Sequence, residues 1–287
     1  MEHRRKGLVL VTLFSFSWSL QITMSKVVLN AGMSAFSLLF QVMVVSSICV
    51  SGYILLFKRS ALSGIERNDL LRLVLVAGVG TALANSFGYY GLENSTSINF
   101  GFLVKTAVVF TLVFAHFMLD EPIHVRKLML MSSLLFGVYL VTTNGRTLVP
   151  TPYDAFIILS ASLYALANAI AKPVLRKVHS EVVALFRLGM GSVFLAAIFP
   201  FLEPSFYIPE HVPLVIITGL LLALMQLLLY KTLQNTTACY LSMMSMLTPL
   251  LVMALGLIVL GEQLHTVQAI GGLIVVCSGI FIHKIEI

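Results

Sequence analysis

Ten stretches of apolar residues, each long enough to cross a bilayer, follow one another through the chain with only short polar connectors between them. A membrane-spanning helix needs about 20 such residues, so a 287-residue chain built this way has little length left for a water-soluble domain. The composition agrees, with 59% hydrophobic and 10% charged residues, where soluble domains have about 45–50% and about 25%. The runs fall near residues 8–28, 34–57, 70–92, 97–119, 127–145, 153–172, 182–202, 212–232, 236–260 and 265–283, bounded by charge, proline or Asn/Gly clusters. In hydrocarbon every backbone polar group must be satisfied within its own segment, and no alternating strand pattern occurs. The predicted fold is therefore an all-α integral membrane protein with ten transmembrane helices. The first run follows Arg4, Arg5 and Lys6 but no A-x-A-like cleavage site follows it, so it reads as a span that stays.

Charge gives this layout a direction. Arg4, Arg5, Lys6, Lys58, Arg59, Arg67, Arg72, Arg126, Lys127, Arg176, Lys177, Lys231 and Lys284 fall on one side, whereas the other holds little beyond Arg146 and the helix-end Lys26. The positive-inside rule then makes both termini cytoplasmic, in a plasma or inner membrane, and an even number of spans requires the same. The net charge of +6 belongs to these loops and does not point to a nucleic-acid partner. Cys49, Cys239 and Cys277 lie inside apolar runs without CxxC or histidine spacing, so they read as small buried residues, with no metal and no cofactor implied.

The halves of the chain echo one another. Trp18, Lys26, Phe40 and Gln41 match Tyr164, Lys172, Phe186 and Arg187 at one constant spacing. After a five-residue slip in the loop around 58–69, Gly78, Asn85, Tyr89, Leu92, Asn94, Thr96 and Glu121 match Gly219, Gln226, Tyr230, Leu233, Asn235, Thr237 and Glu262. Polar, aromatic and glycine positions carry the match, which composition alone does not produce. The chain divides into one five-helix repeat over 1–150 and a second over 151–287. Because five is odd, the second copy must insert upside down, an inverted-repeat architecture shared by many secondary transporters.

At these residues the sequence resembles the EamA-type, ten-helix branch of the drug/metabolite transporter superfamily. The shared features are Trp18 to Lys26 in the first helix, Tyr89-Tyr90-Gly91-Leu92, Phe186-Arg187, Pro249, and the Gly261-Glu262 corner echoed by Asp120-Glu121. Ser19 stands where that pattern usually has glycine, Gln41 where arginine is common, and Val108 where the first half would carry proline. The resemblance implies a metabolite permease, often an exporter of amino acids or related compounds.

Lys105 is the residue most in need of an explanation. It lies about three residues, or roughly 5 Å, from the middle of its span, too deep to snorkel easily. An ammonium at that depth costs about 2.5–3.5 kcal/mol on insertion scales, so it should face water, a carboxylate or an anionic ligand. It is expected either to attract the carboxylate or phosphate of a substrate or to pair with Glu93. Asn85 and Gln226, equivalent and near mid-span, supply amides for a ligand or for interhelical bonds. Trp18, Gln21, Tyr89, Tyr90, Tyr164, Asn168 and Tyr230 add amphipathic surface suited to a pocket or to packing. Lys26, Lys172 and Arg187 are within snorkelling reach of an interface and read as anchors. Gly80, Ala84 and Gly88 form a small-residue stripe for close helix contact, and Pro249 and Pro173 are placed to kink or end helices.

The predicted function is a secondary transporter of small metabolites such as amino acids or organic anions, working by alternating access as a monomer or homodimer, with the lipid bilayer and a small-molecule substrate as its partners. Efflux of lipophilic cations is the alternative within the same class, but no acidic residue falls near the centre of a span to serve it. An intramembrane enzyme would need a nucleophile with its base or a metal cluster, and no such constellation occurs. A scaffold or receptor would not require polar positions to match at mid-depth.

Overall fold

The computed structural model describes residues 2–95, 97–202, 212–259 and 263–285. Ten of its helices have the length and apolarity of membrane spans: α1 (Arg5–Asn30), α2 (Ala35–Phe57), α3 (Arg67–Leu92), α4 (Asn99–Leu119), α5 (Val125–Thr143), α6 (Asp154–Val174), α7 (Ser180–Phe201), α8 (Val212–Asn235), α9 (Ala238–Val259) and α10 (Thr266–Lys284). Their surfaces follow the solvent they would meet. Side chains such as Leu56, Phe117 and Phe201 point outward, while Val50, Leu73, Leu134, Leu195 and Tyr230 are sealed inside. Cys239 is buried as expected, but Cys277 lies on the exposed face of α10 and Cys49 is half-buried, because an apolar exterior tolerates a thiol as well as the core does.

Turns are set by local chemistry. Gly32, at φ +96°, reverses the chain after α1, and Ser34 caps α2 by accepting from the Ser37 N–H at 3.1 Å. Asp120 and Asn144 adopt left-handed conformations, φ 56° and 53°, to end α4 and α5, as short polar side chains can.

Contacts between the halves recur in equivalent pairs. α1 packs on α8 as α6 packs on α3, α2 on α8 as α7 on α3, and α1 on α9 as α6 on α4. α2 with α7 and α5 with α10 join each helix to its own counterpart. These counterparts run antiparallel: Lys58 after α2 lies 4.0 Å from Glu181 at the start of α7, and Gln268 at the start of α10 donates to the Val141 carbonyl near the end of α5 at 3.1 Å. Small residues make the approach possible. A Cβ on Gly80 would meet the Ala167 Cβ at 2.5 Å, and one on Gly88 the Ser160 Oγ at 2.8 Å, so the expected stripe on α3 does face α6.

Three spans are irregular where the repeat equivalence operates. α3 widens into a π-helical turn at Gly78–Leu83, and α4 and α9 each tighten into a 3-10 turn, at Val104–Thr106 and Ser245–Leu247. The step from Val104 to Ser245 is the same 141 residues that separate Asn85 from Gln226. Pro249 follows the break in α9 and removes a backbone donor there; α4 breaks in the same place without a proline.

Candidate functional site

The break in α4 is what places Lys105. It sits in the 3-10 turn, packed on α6, and its ammonium lies 4.1 Å from the centre of the Trp18 ring on α1. A cation on an indole face is held by the ring quadrupole, worth about 2 kcal/mol when desolvated. Lys105 makes no hydrogen bond or ion pair with any described side chain. The side chain of Glu93, its possible partner, lies outside the described residues, as do Thr96 and the Gly261-Glu262 corner.

Around this pair the other candidate residues divide into those already bonded and those not. The Tyr164 hydroxyl on α6 donates to Asn85 Oδ1 on α3. Asn168 accepts from Arg187 at 3.2 Å, and Gln21 donates to Ser25 on its own helix at 3.0 Å. Tyr89 stands edge-on to Phe36, which stacks on Phe199 in a cluster of rings. Gln226 is 6% exposed, and its Oε1 has no hydrogen-bond partner among the described residues.

Arg187 is not an interfacial anchor. Only 4% exposed, it donates from Nη1 to the Tyr230 hydroxyl at 2.9 Å and from Nη2 to the Gly80 carbonyl at 3.1 Å, besides its bond to Asn168. The rings of Tyr164 and Tyr230 lie 5.9 and 5.8 Å away. It thus ties α7 to α3, α6 and α8. The acceptor Gly80 lies inside the π-helical turn, where the regular α-helical bonding of the backbone is interrupted. Snorkelling gives way here because three acceptors inside the bundle satisfy the charge more fully than a stretched side chain would. Helical spacing was the one sequence signal, since Arg187 shares a face with Val183, Ala184 and Gly191.

Lys172 likewise does not snorkel. It donates to the Leu233 and Thr236 carbonyls, both at 2.5 Å, satisfying orphan acceptors at the C-terminal end of α8. The same end of the bundle carries a second bridge that sequence reasoning missed. The left-handed Asp120 turns the chain so that Glu121, 9% exposed, accepts from the Ala238 and Cys239 N–H groups at 2.8 and 3.1 Å. Thr237 accepts from Tyr240 N–H at 3.0 Å, so the first turn of α9 is fully capped, partly by the opposite repeat. The C-terminal half of α4 packs on the N-terminal half of α9 here. At the other end α4 is held by Asp154, which accepts from Asn99 at 2.9 Å, and among the described residues no packing face joins the N-terminal half of α4 to α1 or to the C-terminal half of α9. Around Lys105 the two repeats are therefore joined at the basic end of the bundle and only weakly joined at the opposite one. A separate groove between α3 and α7, lined by Val79, Ala82, Phe194 and Ala197, is wholly apolar and faces outward, so it is not the site.

Ten apolar spans with polar and cationic side chains between them define a multi-pass membrane protein. The EamA-like transporter family matches residues 5–143 and again 151–283, and the chain belongs to that family. It is 26% identical to the uncharacterized transporter YoaV of Bacillus subtilis (strain 168) over 246 residues, covering 80% of each chain. A solved crystal structure shares the fold, with a TM-score of 0.79 over 99% of both chains and 14% identity.

Proposed function

We propose that this protein is a secondary transporter of small organic anions, amino acids included, that works by alternating access around Lys105. The observation that carries the reading is the Lys105 ammonium, held mid-span on the Trp18 face with no anion among the described side chains to neutralise it. A cation kept ready in an apolar bundle at a cost of about 2.5–3.5 kcal/mol is best explained by an anionic ligand that offsets it. The antiparallel pairing of equivalent helices supports an inverted repeat, and the basic loops support cytoplasmic termini in a plasma or inner membrane. With that orientation the weakly joined end faces outward, and the Glu121 bridge ties the repeats together on the cytoplasmic side.

Counterflow in proteoliposomes tests this. Organic acids or amino acids should exchange, cationic dyes should not, and Lys105→Ala should lower exchange about tenfold or more, as loss of one charge-assisted bond implies. Exchange by Lys105→Ala at the wild-type rate, or efflux of dyes alone, would overturn the reading.

A further inference from the structure

The apolar groove between α3 and α7 has two ends of different chemistry. Leu75, Val79 and Leu83 of α3 form one wall, with Phe194 and Ile198 of α7 opposite. Beyond Leu83 and Ile198 neither span carries a charged residue. At the other end Arg72, exposed, stands three residues before Leu75 and seven before Val79, on the same side of the helix. It forms no hydrogen bond or ion pair with any described residue, and the Lys177 ammonium, in the turn before α7, faces it as a like charge. Glu66 is taken by Lys177 at 3.0 Å, and Asp69, the other carboxylate nearby, is buried. The mouth of the groove at the basic end of the bundle is therefore positive.

We infer that an anionic phospholipid from the leaflet on the basic side docks here, with its phosphate at Arg72 and one acyl chain along the groove between α3 and α7. Walls that offer no polar partner do not hold water, and in hydrocarbon the occupant left is a lipid chain. Lipid tails are as apolar as leucine, so the chain supplies close packing that any phospholipid can give and no choice among headgroups. That choice is made at Arg72, whose planar guanidinium can take two phosphate oxygens at once, with the field of Lys177 beside it. From Arg72 to Leu83 the helix rises about 17 Å, close to half of a hydrocarbon core of about 30 Å, which is the depth of one leaflet. The chain lies against Gly78–Leu83, the π-helical turn whose Gly80 carbonyl holds Arg187, so the lipid backs that contact from outside.

Trp18 is the single tryptophan, so Trp18→Phe with Leu75→Trp places the only indole in the groove, and Trp18→Phe with Leu224→Trp places it on the exposed side of α8. Each full chain is reconstituted in vesicles of phosphatidylcholine and phosphatidylglycerol, with quenching bromines in the acyl chains of one lipid or the other. With Leu75→Trp, phosphatidylglycerol should quench with about fivefold higher apparent affinity than phosphatidylcholine; with Leu224→Trp the two should quench alike. Arg72→Gln should bring the Leu75→Trp signal to parity, whereas Arg126→Gln, which removes an exposed charge at the same end of the bundle on α5, should leave the preference intact. Native mass spectrometry of the chain without a reporter gives the same comparison: about fivefold more phosphatidylglycerol retained from an equal mixture, a bias lost in Arg72→Gln. Parity in both measurements, a preference that survives Arg72→Gln, or one equally strong with Leu224→Trp overturns the assignment.

Discussion

Lys105 and Arg187 are both cations within the spans, and their surroundings differ in kind. Arg187 is held from several sides: Asn168, Tyr230 and Gly80 accept from its two terminal nitrogens and two aromatic faces flank it, while its Nε has no partner among the described residues. Lys105 has one aromatic face and no hydrogen-bonding or anionic side chain among the described residues. The first arrangement suits a strut and the second a ligand contact. Arg187→Lys separates them, because an ammonium keeps the charge but not the planar fork that reaches three helices at once. Loss of charge-assisted bonds should cost on the order of 2–3 kcal/mol, read as a lower thermal midpoint in detergent, with ligand affinity at Trp18 unchanged in the folded fraction. Lys105→Gln should do the reverse, leaving the midpoint unchanged or raised and removing anion binding. Depth in the span made Lys105 legible from sequence. Arg187 was not, since a side chain one and a half turns from an interface can snorkel or be buried, and the acceptors that decide the matter come from three other helices.

Span ends were legible because charges and turn residues mark them, but the breaks inside spans were not. Val104-Lys105-Thr106 contains no glycine or proline, and only Pro249 hinted at the break in α9. The π-helical turn of α3 carries the Gly80 carbonyl that receives the Arg187 guanidinium, a contact made from another helix. Its tolerance is narrow: with Ala167 at 2.5 Å from a Cβ at Gly80, Gly80→Val should force α3 from α6 and destabilise the protein by about 1–3 kcal/mol, measured by denaturation in detergent. The cap on α9 is the other device at this scale. Glu121→Gln keeps one acceptor but loses the charge that favours a helix N-terminus, a change of about 1 kcal/mol. Cys239, 2% exposed and bonded through its N–H to Glu121, reports the result. With Cys49 and Cys277 replaced by serine, thiol labelling of Cys239 should accelerate about fivefold in Glu121→Gln; an unchanged rate would show that packing alone holds α4 to α9.

At the scale of the molecule, the proposed alternating access rests on the repeat. If the two copies are inverted equivalents, each contact present at one end and missing at the other describes a second state in which the copies exchange conformations. Here α4 meets α9 through the C-terminal half of α4 and the N-terminal half of α9, and their other halves stand apart. The exchange would bring those halves together and release the Glu121 bridge. The proposal depends on opposed insertion, which five spans per copy and the antiparallel run of α2 against α7 support. Ala31, after the first helix of one copy, and His179, after the first helix of the other, are both exposed and occupy corresponding turns. In a chain whose native cysteines are removed, Ala31→Cys should react with an impermeant thiol reagent on intact cells, and His179→Cys only after permeabilisation. Should both label from the same side, the copies would be parallel, the missing contacts would be mere asymmetry, and the closed basic end would no longer imply an open state to match it.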